Sequence, residues 1–354
     1  MSLIKDVYSI DWINRLGERL GDAESFQKNV LSSQWEQLSF KQRVRHIAVS
    51  MHPFLSQDFY QAADWLEEHA KDFGGLPGIV FPDYVEVYGQ GHWDRSLSAL
   101  KNLTSASTSE FAIRSFLLKD QKSCLHTMNL WAENNNEHIR RLASEGARPR
   151  LPWGQAIPSL VKDPSPAFPI LLKLLRDDSL YVRKSVANHL NDVSKTHPDL
   201  LLELIQEQKG QHPHTDWILR HASRTLLKKG HPEALGLFGF EQTETVHIHD
   251  FHTSELVEFG GELIFSFTLV TEERQKLRID FAIDYVKKRG IRNRKVFKLS
   301  EGEIPAGERR YTKTLSFKDL TTRVHYPGVH TLTLLVNGIE AASADFELQE
   351  KLEG

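Results

Sequence analysis

Side chains able to do chemistry concentrate in two segments. In the first, Glu137-His-Ile-Arg140-Arg141-Leu-Ala-Ser-Glu145-Gly-Ala-Arg148-Pro-Arg150-Leu-Pro-Trp153, four arginines surround a glutamate and a tryptophan closes a proline-rich loop. The second, Asp177 to Asp192, brings Arg183, Asn188, Asn191 and Asp192 to a stretch that should be a packing helix. Asn188, Asn191 and Asp192 stand three and four apart, so they share a face. A helix that gives this face to poor helix formers is using them. The plain alternative stays open for both segments. Arg141 follows Glu137 by four and precedes Glu145 by four, which is also the spacing of ordinary surface ion pairs. Trp153 fits a core cap equally well.

Other sources of reactivity are thin. His247, His249, Asp250 and His252 form a run in which two histidines would share a strand face, but no second ligand cluster accompanies it. A metal-dependent enzyme on this run therefore ranks lowest, and no cofactor is expected. Gly89-Gln-Gly91 lacks the third spaced glycine of a phosphate loop. No Gly-x-Ser-x-Gly elbow is present. The single cysteine, Cys124, excludes an intrachain disulfide framework and a multi-thiolate zinc site, and reads as a buried helix residue.

The elements that carry these residues come from a chain of 354 residues, 40% hydrophobic and 26% charged, enough for two or three domains. Net charge is −3, which excludes a uniformly basic coat. The distribution is uneven: residues 1–100 hold 9 basic and 14 acidic side chains, 101–240 hold 19 and 14, and 241–354 hold 16 and 19. A polyanion responds to such local positive surface within a Debye length. No apolar run reaches the roughly 18 residues of a membrane span, and the start lacks a signal-peptide pattern. These features predict a soluble protein of a reducing cytoplasm, associated with the nucleoid if it binds DNA, with no membrane partner and a monomer as the default.

Up to about residue 240 the apolar residues recur at helical spacing. Helices are expected near 10–20, 41–55 and 56–70, whereas Gly74–Trp93 is too broken by glycine and proline to be one. Pro166, Pro198 and Pro232 stand 32 and 34 residues apart and fit first turns of helices. The segments starting at Phe111, His138, Tyr181 and Trp217 share a pattern and place Arg114, Arg141, Lys184 and Arg220 correspondingly. Helix pairs at this period read as a HEAT-like solenoid whose recurring cations line one groove. After Phe240 the pattern alternates. About seven strands, including 262–270, 276–286, 294–299, 309–317, 329–336 and 341–348, argue for an antiparallel, immunoglobulin-like β-sandwich. In the second, Leu277, Ile279, Phe281, Ile283 and Tyr285 would face the core, with Arg278, Asp280 and Asp284 facing water. Asn337-Gly338 is a hairpin turn. Lys287–Lys298, with seven cations and no acid, is expected on a loop between strands. The organisation predicted is an N-terminal helical region (1–95), a HEAT-like DNA-binding and catalytic domain (96–240) and a sandwich (245–350).

Three stretches, Ser109-Glu110-Phe-Ala-Ile-Arg114, Arg140 to Trp153 and Tyr181 to Asp192, closely resemble the motifs of the AlkC branch of the HEAT-like alkylpurine DNA glycosylases. His221-Ala-Ser-Arg224-Thr-Leu-Leu-Lys228-Lys-Gly230 is similar to that family as well. The resemblance covers about residues 105–235, and the C-terminal sandwich agrees with family members that append an immunoglobulin-like domain. Residues 1–95 carry no motif that anchors them.

The resemblance implies excision of cationic N-alkylated bases such as 3-methyladenine, with 7-methylguanine and 3-methylcytosine in the same class, from duplex DNA and without base flipping. A sugar that develops oxocarbenium character is helped by nearby negative charge and by a carboxylate that orients water. By resemblance, Asp192 positions water, Glu110 and Glu145 complete an acidic pocket, and Trp153 lies against the lesion's deoxyribose. Arg141, Arg148, Arg183 and Lys184 would hold the backbone, with Arg114 and Arg220 flanking. Lys287, Lys288, Arg289, Arg292 and Arg294 would add phosphate contacts from the sandwich. The competing reading is a non-catalytic HEAT-repeat DNA-binding or scaffold protein. It gains if the acids turn out neutralised by neighbouring guanidiniums.

Overall fold

Helix starts in the first half follow local capping chemistry. Ser9 accepts from the Trp12 amide at the head of α1 (Ile10–Leu20), and α2 spans Ala23–Val30. Ser39 and Gln42 form a capping box for α3 (Phe40–Met51), and Asp58 caps α4 (Phe59–His69). In a computed structural model that describes residues 3–32, 34–241, 244–288, 290, 292–319 and 324–350, further helices follow. They are α5 (Val80–Tyr88), α6 (Trp93–Leu103), α7 (Ile113–Lys119), α8 (Gln121–Trp131), α9 (Glu137–Gly146), α10 (Pro158–Lys162), α11 (Phe168–Lys173) and α12 (Leu180–Val193). The last four are α13 (Pro198–Gln208), α14 (Pro213–Ala222), α15 (Arg224–Lys228) and α16 (Pro232–Leu237).

The segment Gly74–Trp93 does contain a helix, α5, because Pro82 falls at its third residue, where a missing N–H breaks no intrahelical bond. Pro166 opens no α-helix: it lies in a 3-10 turn, Ser165–Ala167, that leads into α11, whereas Pro198 and Pro232 do open helices. The repeated segments fall on or at the start of α7, α9, α12 and α14, and Ile139, Val182 and Ile218 are buried as their spacing requires.

The chain divides into two units, Met1–Thr196 with Gln208–Ala222, and His197–Glu207 with Ser223–Gly354. In the first, α3 packs on α5, α5 on α7, α9 on α12 and α12 on α14, which sets the chemistry-bearing helices in a row. Residues 1–95 thus belong to the same unit as α7, α9, α12 and α14, whereas most of α13 and all of α15 and α16, expected in the repeat domain, fall in the second unit. Gly146 lets α9 close on its neighbours, since a Cβ there would stand 2.6 Å from the Ile113 side chain and 3.2 Å from Met128.

The second unit holds β1 (Val246–Thr253), β2 (Leu256–Val257), β3 (Glu262–Thr271), β4 (Gln275–Val286), β5 (Arg292–Ile304), β6 (Gly307–Ser316), β7 (Gly328–Val336) and β8 (Ile339–Leu348). One sheet has the order β1-β3-β6, the other β2-β8-β7-β4-β5, antiparallel except for the short β2–β8 pair. Leu263, Phe265, Phe267 and Leu269 meet Leu277, Ile279, Phe281 and Ile283 in the core, in the alternation expected. Asn337 and Gly338, both at positive φ, turn β7 into β8. A Cβ on Gly338 would come within 2.8 Å of the Gly230 backbone, so the helical lead-in of this unit presses on the turn.

That lead-in also explains a reversed expectation. Arg278 and Asp280 do not face water; both are buried, with two hydrogen bonds of 2.6 and 2.8 Å between them and Glu301 2.9 Å from the same guanidinium. Strand alternation separates two faces, but α15 packs against β5 on this sheet. The basic run is likewise only partly a loop. Arg292, Arg294, Lys295 and Lys298 lie on β5, where Arg294 pairs with Glu340 at 2.6 Å and Arg292 donates to Thr331 at 2.8 Å. Lys287 and Lys288 remain beyond the end of β4, and Arg289 lies outside the described residues.

Candidate active site

The turn before α7 is built around two hydroxyls. The buried Ser109 donates to the Leu100 carbonyl at 2.7 Å, and Thr108 donates to Glu110 Oε2 at 2.8 Å. Arg141, from α9, ion-pairs with the same Oε2 and donates to the Thr108 hydroxyl at 2.9 Å. Its guanidinium also lies 5.1 Å from the centre of the Tyr181 ring. Glu110 Oε1 has no hydrogen-bond partner among the described residues.

One turn along α9, Glu145 is held differently. Its pair with Arg141 is long, 3.7 Å, so the i, i+4 arrangement exists but is secondary. Arg148 takes Glu145 Oε1 at 2.6 Å and reaches Asp192 of α12 through Nε and Nη2, both at 2.8 Å. Ser185 donates to Glu145 Oε2 at 2.6 Å, and Lys195 covers Asp192 Oδ1 at 2.8 Å. Burial alone would lower the Arg148 pKa, but the two carboxylates together hold it above the ordinary arginine value. His189, fully buried between α9 and α12, donates through Nδ1 to the Ser144 carbonyl at 2.9 Å. Desolvation depresses its pKa to about 4, so the ring is neutral and serves to hold α12 on α9.

The three acids are thus brought together and are buried, but most of their charge is compensated. Asp192 has both oxygens occupied, and Glu145 has the Arg148 donor and the more distant Arg141 charge on Oε1 and the Ser185 donor on Oε2. Burial makes this pairing necessary, because a carboxylate taken out of water without a partner costs several kcal/mol. Compensated pairs act weakly at a distance. What survives at contact range is an oxygen edge without a cation on it, and Glu110 Oε1 has that character.

Trp153 is no core cap. It is 62% exposed, with a left-handed backbone (φ 63°) that a bulky residue adopts only when its surroundings hold it. The holding group is Arg114. Expected to flank DNA, this side chain is 1% exposed and donates instead to the carbonyls of Gln155, Gly146 (2.9 Å), Arg148 (2.8 Å) and Pro149 (3.4 Å). A side chain at the start of a short helix, facing a loop rich in proline, meets carbonyls that have no N–H to pair with. Burial lowers the Arg114 pKa to about 10, with the Arg148 charge adding to the effect. Arg114→Met should therefore destabilise the fold by at least about 2 kcal/mol, since it strands buried carbonyls. Hydrogen exchange at Gly154 and Ile157, whose amides close this loop on Leu151 and Pro149, should accelerate more than in α1. Equal protection in the variant would remove Arg114 as the clamp.

The expected cation stripe is correspondingly reduced. Arg183 gives Nη1 to the carbonyls of Asp177 (2.9 Å) and Asp178 (2.8 Å), Arg220 is half-buried on α14, and Lys184 is exposed. Residues without a sequence signal join the site. Phe40, at the head of α3, lies 5.9 Å from the Trp153 ring, and Lys41 sits 4.0 Å over Phe111. Lys195 was missed although its three-residue spacing to Asp192 is a signal; Phe40 and Lys41 carry none. His247 and His249 stand 6.4 Å apart by ring centres, and among the described residues no three His, Cys, Asp or Glu side chains are placed to hold a metal ion.

Comparison with known proteins places these features. A family model described as a DNA alkylation repair enzyme matches residues 91–226, and the model of the C-terminal Ig-like domain of the uncharacterised protein YhaZ matches 247–350. Over 356 residues the chain is 48% identical to YhaZ of Bacillus subtilis, covering 98% of this chain and 100% of that one. The Pseudomonas fluorescens alkylpurine DNA glycosylase AlkC, solved bound to DNA containing an abasic site analog, is 39% identical. That match covers 99% of this chain and 100% of the other, with a TM-score of 0.94.

Proposed function

This chain belongs to the AlkC branch of the HEAT-like alkylpurine DNA glycosylases, and from that membership we propose that it hydrolyses the N-glycosidic bond of cationic N-alkylated bases in duplex DNA. The observation that carries the reading is the open oxygen of buried Glu110, in a site that otherwise neutralises its acids.

Methylation at N3 or N7 gives a purine a formal positive charge. When the C1′–N bond breaks, its electron pair moves to the base and quenches that charge, leaving cationic character on the sugar. An anionic edge near C1′ is stronger in this transition state than in the ground state, which is the condition for acceleration. Glu110 Oε1 supplies it. Water bonds to C1′ and its proton passes to a carboxylate. Asp192 takes this water-orienting part once Lys195, a side chain 43% exposed and free to swing toward phosphate, uncovers Oδ1. Trp153 lies against the deoxyribose, its exposed ring facing the developing cation. Arg183 and Lys184 line the backbone side, whereas Arg141 and Arg148, expected there too, are held by Glu110, Glu145 and Asp192 and position those acids; Lys287 and Lys288 add phosphate contacts from the sandwich. Selectivity comes from the lesion's charge and lability with the base left in the stack, so 3-methyladenine, 7-methylguanine and 3-methylcytosine are candidate substrates of one charge class.

The test is release of methylated bases from alkylated duplex DNA by the wild type in EDTA. Release of 3-methyladenine, undiminished by chelation, is expected. Duplex binding without release would select the second reading, a DNA-gripping protein without chemistry, which the neutralised Glu145 and Asp192 favour. Charge reversal of Lys287 and Lys288 in the same duplex should flatten the salt dependence of binding, and an unchanged slope would remove the sandwich from the DNA surface.

A further inference from the structure

Near the acids, one cation behaves unlike its neighbours. Arg141, Arg148 and Lys195 each hold a carboxylate. Arg45, one turn after Lys41 on α3, takes Asp83 at 2.6 Å and Glu86 at 3.0 Å. Those are the two acids whose charge acts most strongly on Lys41, and both are occupied. Lys41 itself is half-buried and makes no hydrogen bond or ion pair among the described residues. Its ammonium rests on the face of Phe111, the residue after Glu110, at 4.0 Å from the ring centre. Burial lowers its pKa, with the acids around it only partly opposing this.

A half-desolvated ammonium without a counter-ion is unfavourable, and the aromatic face offsets only part of that. The arrangement becomes favourable when an anion arrives from outside. Phe40, the preceding residue, touches Trp153, so the head of α3 spans from the Trp153 loop to the Glu110 turn. An anion meeting Lys41 there stands beside the reacting sugar.

We propose that Lys41 grips a DNA phosphate adjoining the lesion, which makes the N-terminal helical region a part of the reaction site rather than an accessory to the repeats. The proposal rests on the glycosylase reading for the word lesion, but the phosphate contact is measurable without it. A phosphate at this point also keeps the lesion's sugar at the Glu110 edge, because the cation sits one residue's ring away from that acid.

The experiment compares wild type, Lys41→Gln and Lys41→Arg on a duplex carrying a tetrahydrofuran abasic analogue, over a series of salt concentrations. Lys41→Gln should bind several-fold more weakly, with the slope of log affinity against log salt reduced by about one contact's worth, roughly 0.9, and Lys41→Arg should restore it. Lys41 makes no hydrogen bond among the described residues and its charge is poorly solvated, so Lys41→Gln should not lower the thermal midpoint, which separates a lost contact from a lost fold. An unchanged slope in Lys41→Gln overturns the proposal. So does a borohydride-stable adduct between the wild type and a natural abasic site that disappears in Lys41→Arg, because the amine would then act as a nucleophile. If the wild type releases no methylated base yet the slope still depends on Lys41, the glycosylase reading fails and the phosphate contact stands.

Discussion

Glu110→Gln should lower methylated-base release by about 100- to 1,000-fold while leaving duplex affinity within a few-fold of wild type. The substitution is close to isosteric. A glutamine oxygen still accepts from Thr108 and Arg141, the two groups that hold Oε2. What disappears is one negative charge on the edge that no cation covers, so binding of the ground state barely changes. On a surface proposed to meet phosphates, removing an anion favours DNA. Asp192→Asn should also lose more release than binding; each substitution weakens an arginine pair, Arg141's in Glu110→Gln and Arg148's in Asp192→Asn, and so lowers stability too. Measuring single-turnover release alongside equilibrium binding separates these contributions. Full activity in Glu110→Gln would sink the assignment of the open carboxylate, whatever Asp192→Asn does.

Arg148→Met is expected to destabilise the protein by about 3–5 kcal/mol, the range seen when one member of a buried ion network is removed. Three contacts disappear together, and Glu145 and Asp192 are left facing each other's charge with only Arg141, Ser185 and Lys195 as partners. For a unit of this size the thermal midpoint should fall by about 6–20 °C. A second substitution, Asp192→Asn, should recover part of the loss by removing one of the stranded charges, giving a coupling far from additivity. Urea unfolding of the two single variants and the double variant measures it. A loss under about 1 kcal/mol in Arg148→Met would mean that packing, not this arginine, holds α9 on α12.

The comparison of sequence and structure divides along a physical line. Periodicity and capping are local, so α1 begins and ends where its spacing and Ser9 require, and β3 and β4 bury the alternate residues the pattern names. Proline and its position within a helix were harder, because α5 differs from a broken loop only by Pro82 falling in its first turn. Glu110, Glu145, Trp153 and Asp192 were legible as a set because long ordered motifs carry them. Their partners were not. Arg114 and Arg141 occupy the same place in successive repeats, yet one is buried on loop carbonyls and the other pairs with an acid. On β4, Arg278 and Asp280 alternate as surface residues do and are buried nonetheless.

The chain alone thus determined its classes of element, its repeats, its sandwich and the residues proposed for the chemistry, since each is written in neighbours a few positions apart. Which oxygen of which acid stays uncovered, and which lysine lacks a counter-ion, was decided by tertiary structure. Arg148 finds Asp192 across 44 positions and Arg114 finds Gln155 across 41. Electrostatic pairing depends on distance in space, and no spacing along the chain encodes it until the helices have packed.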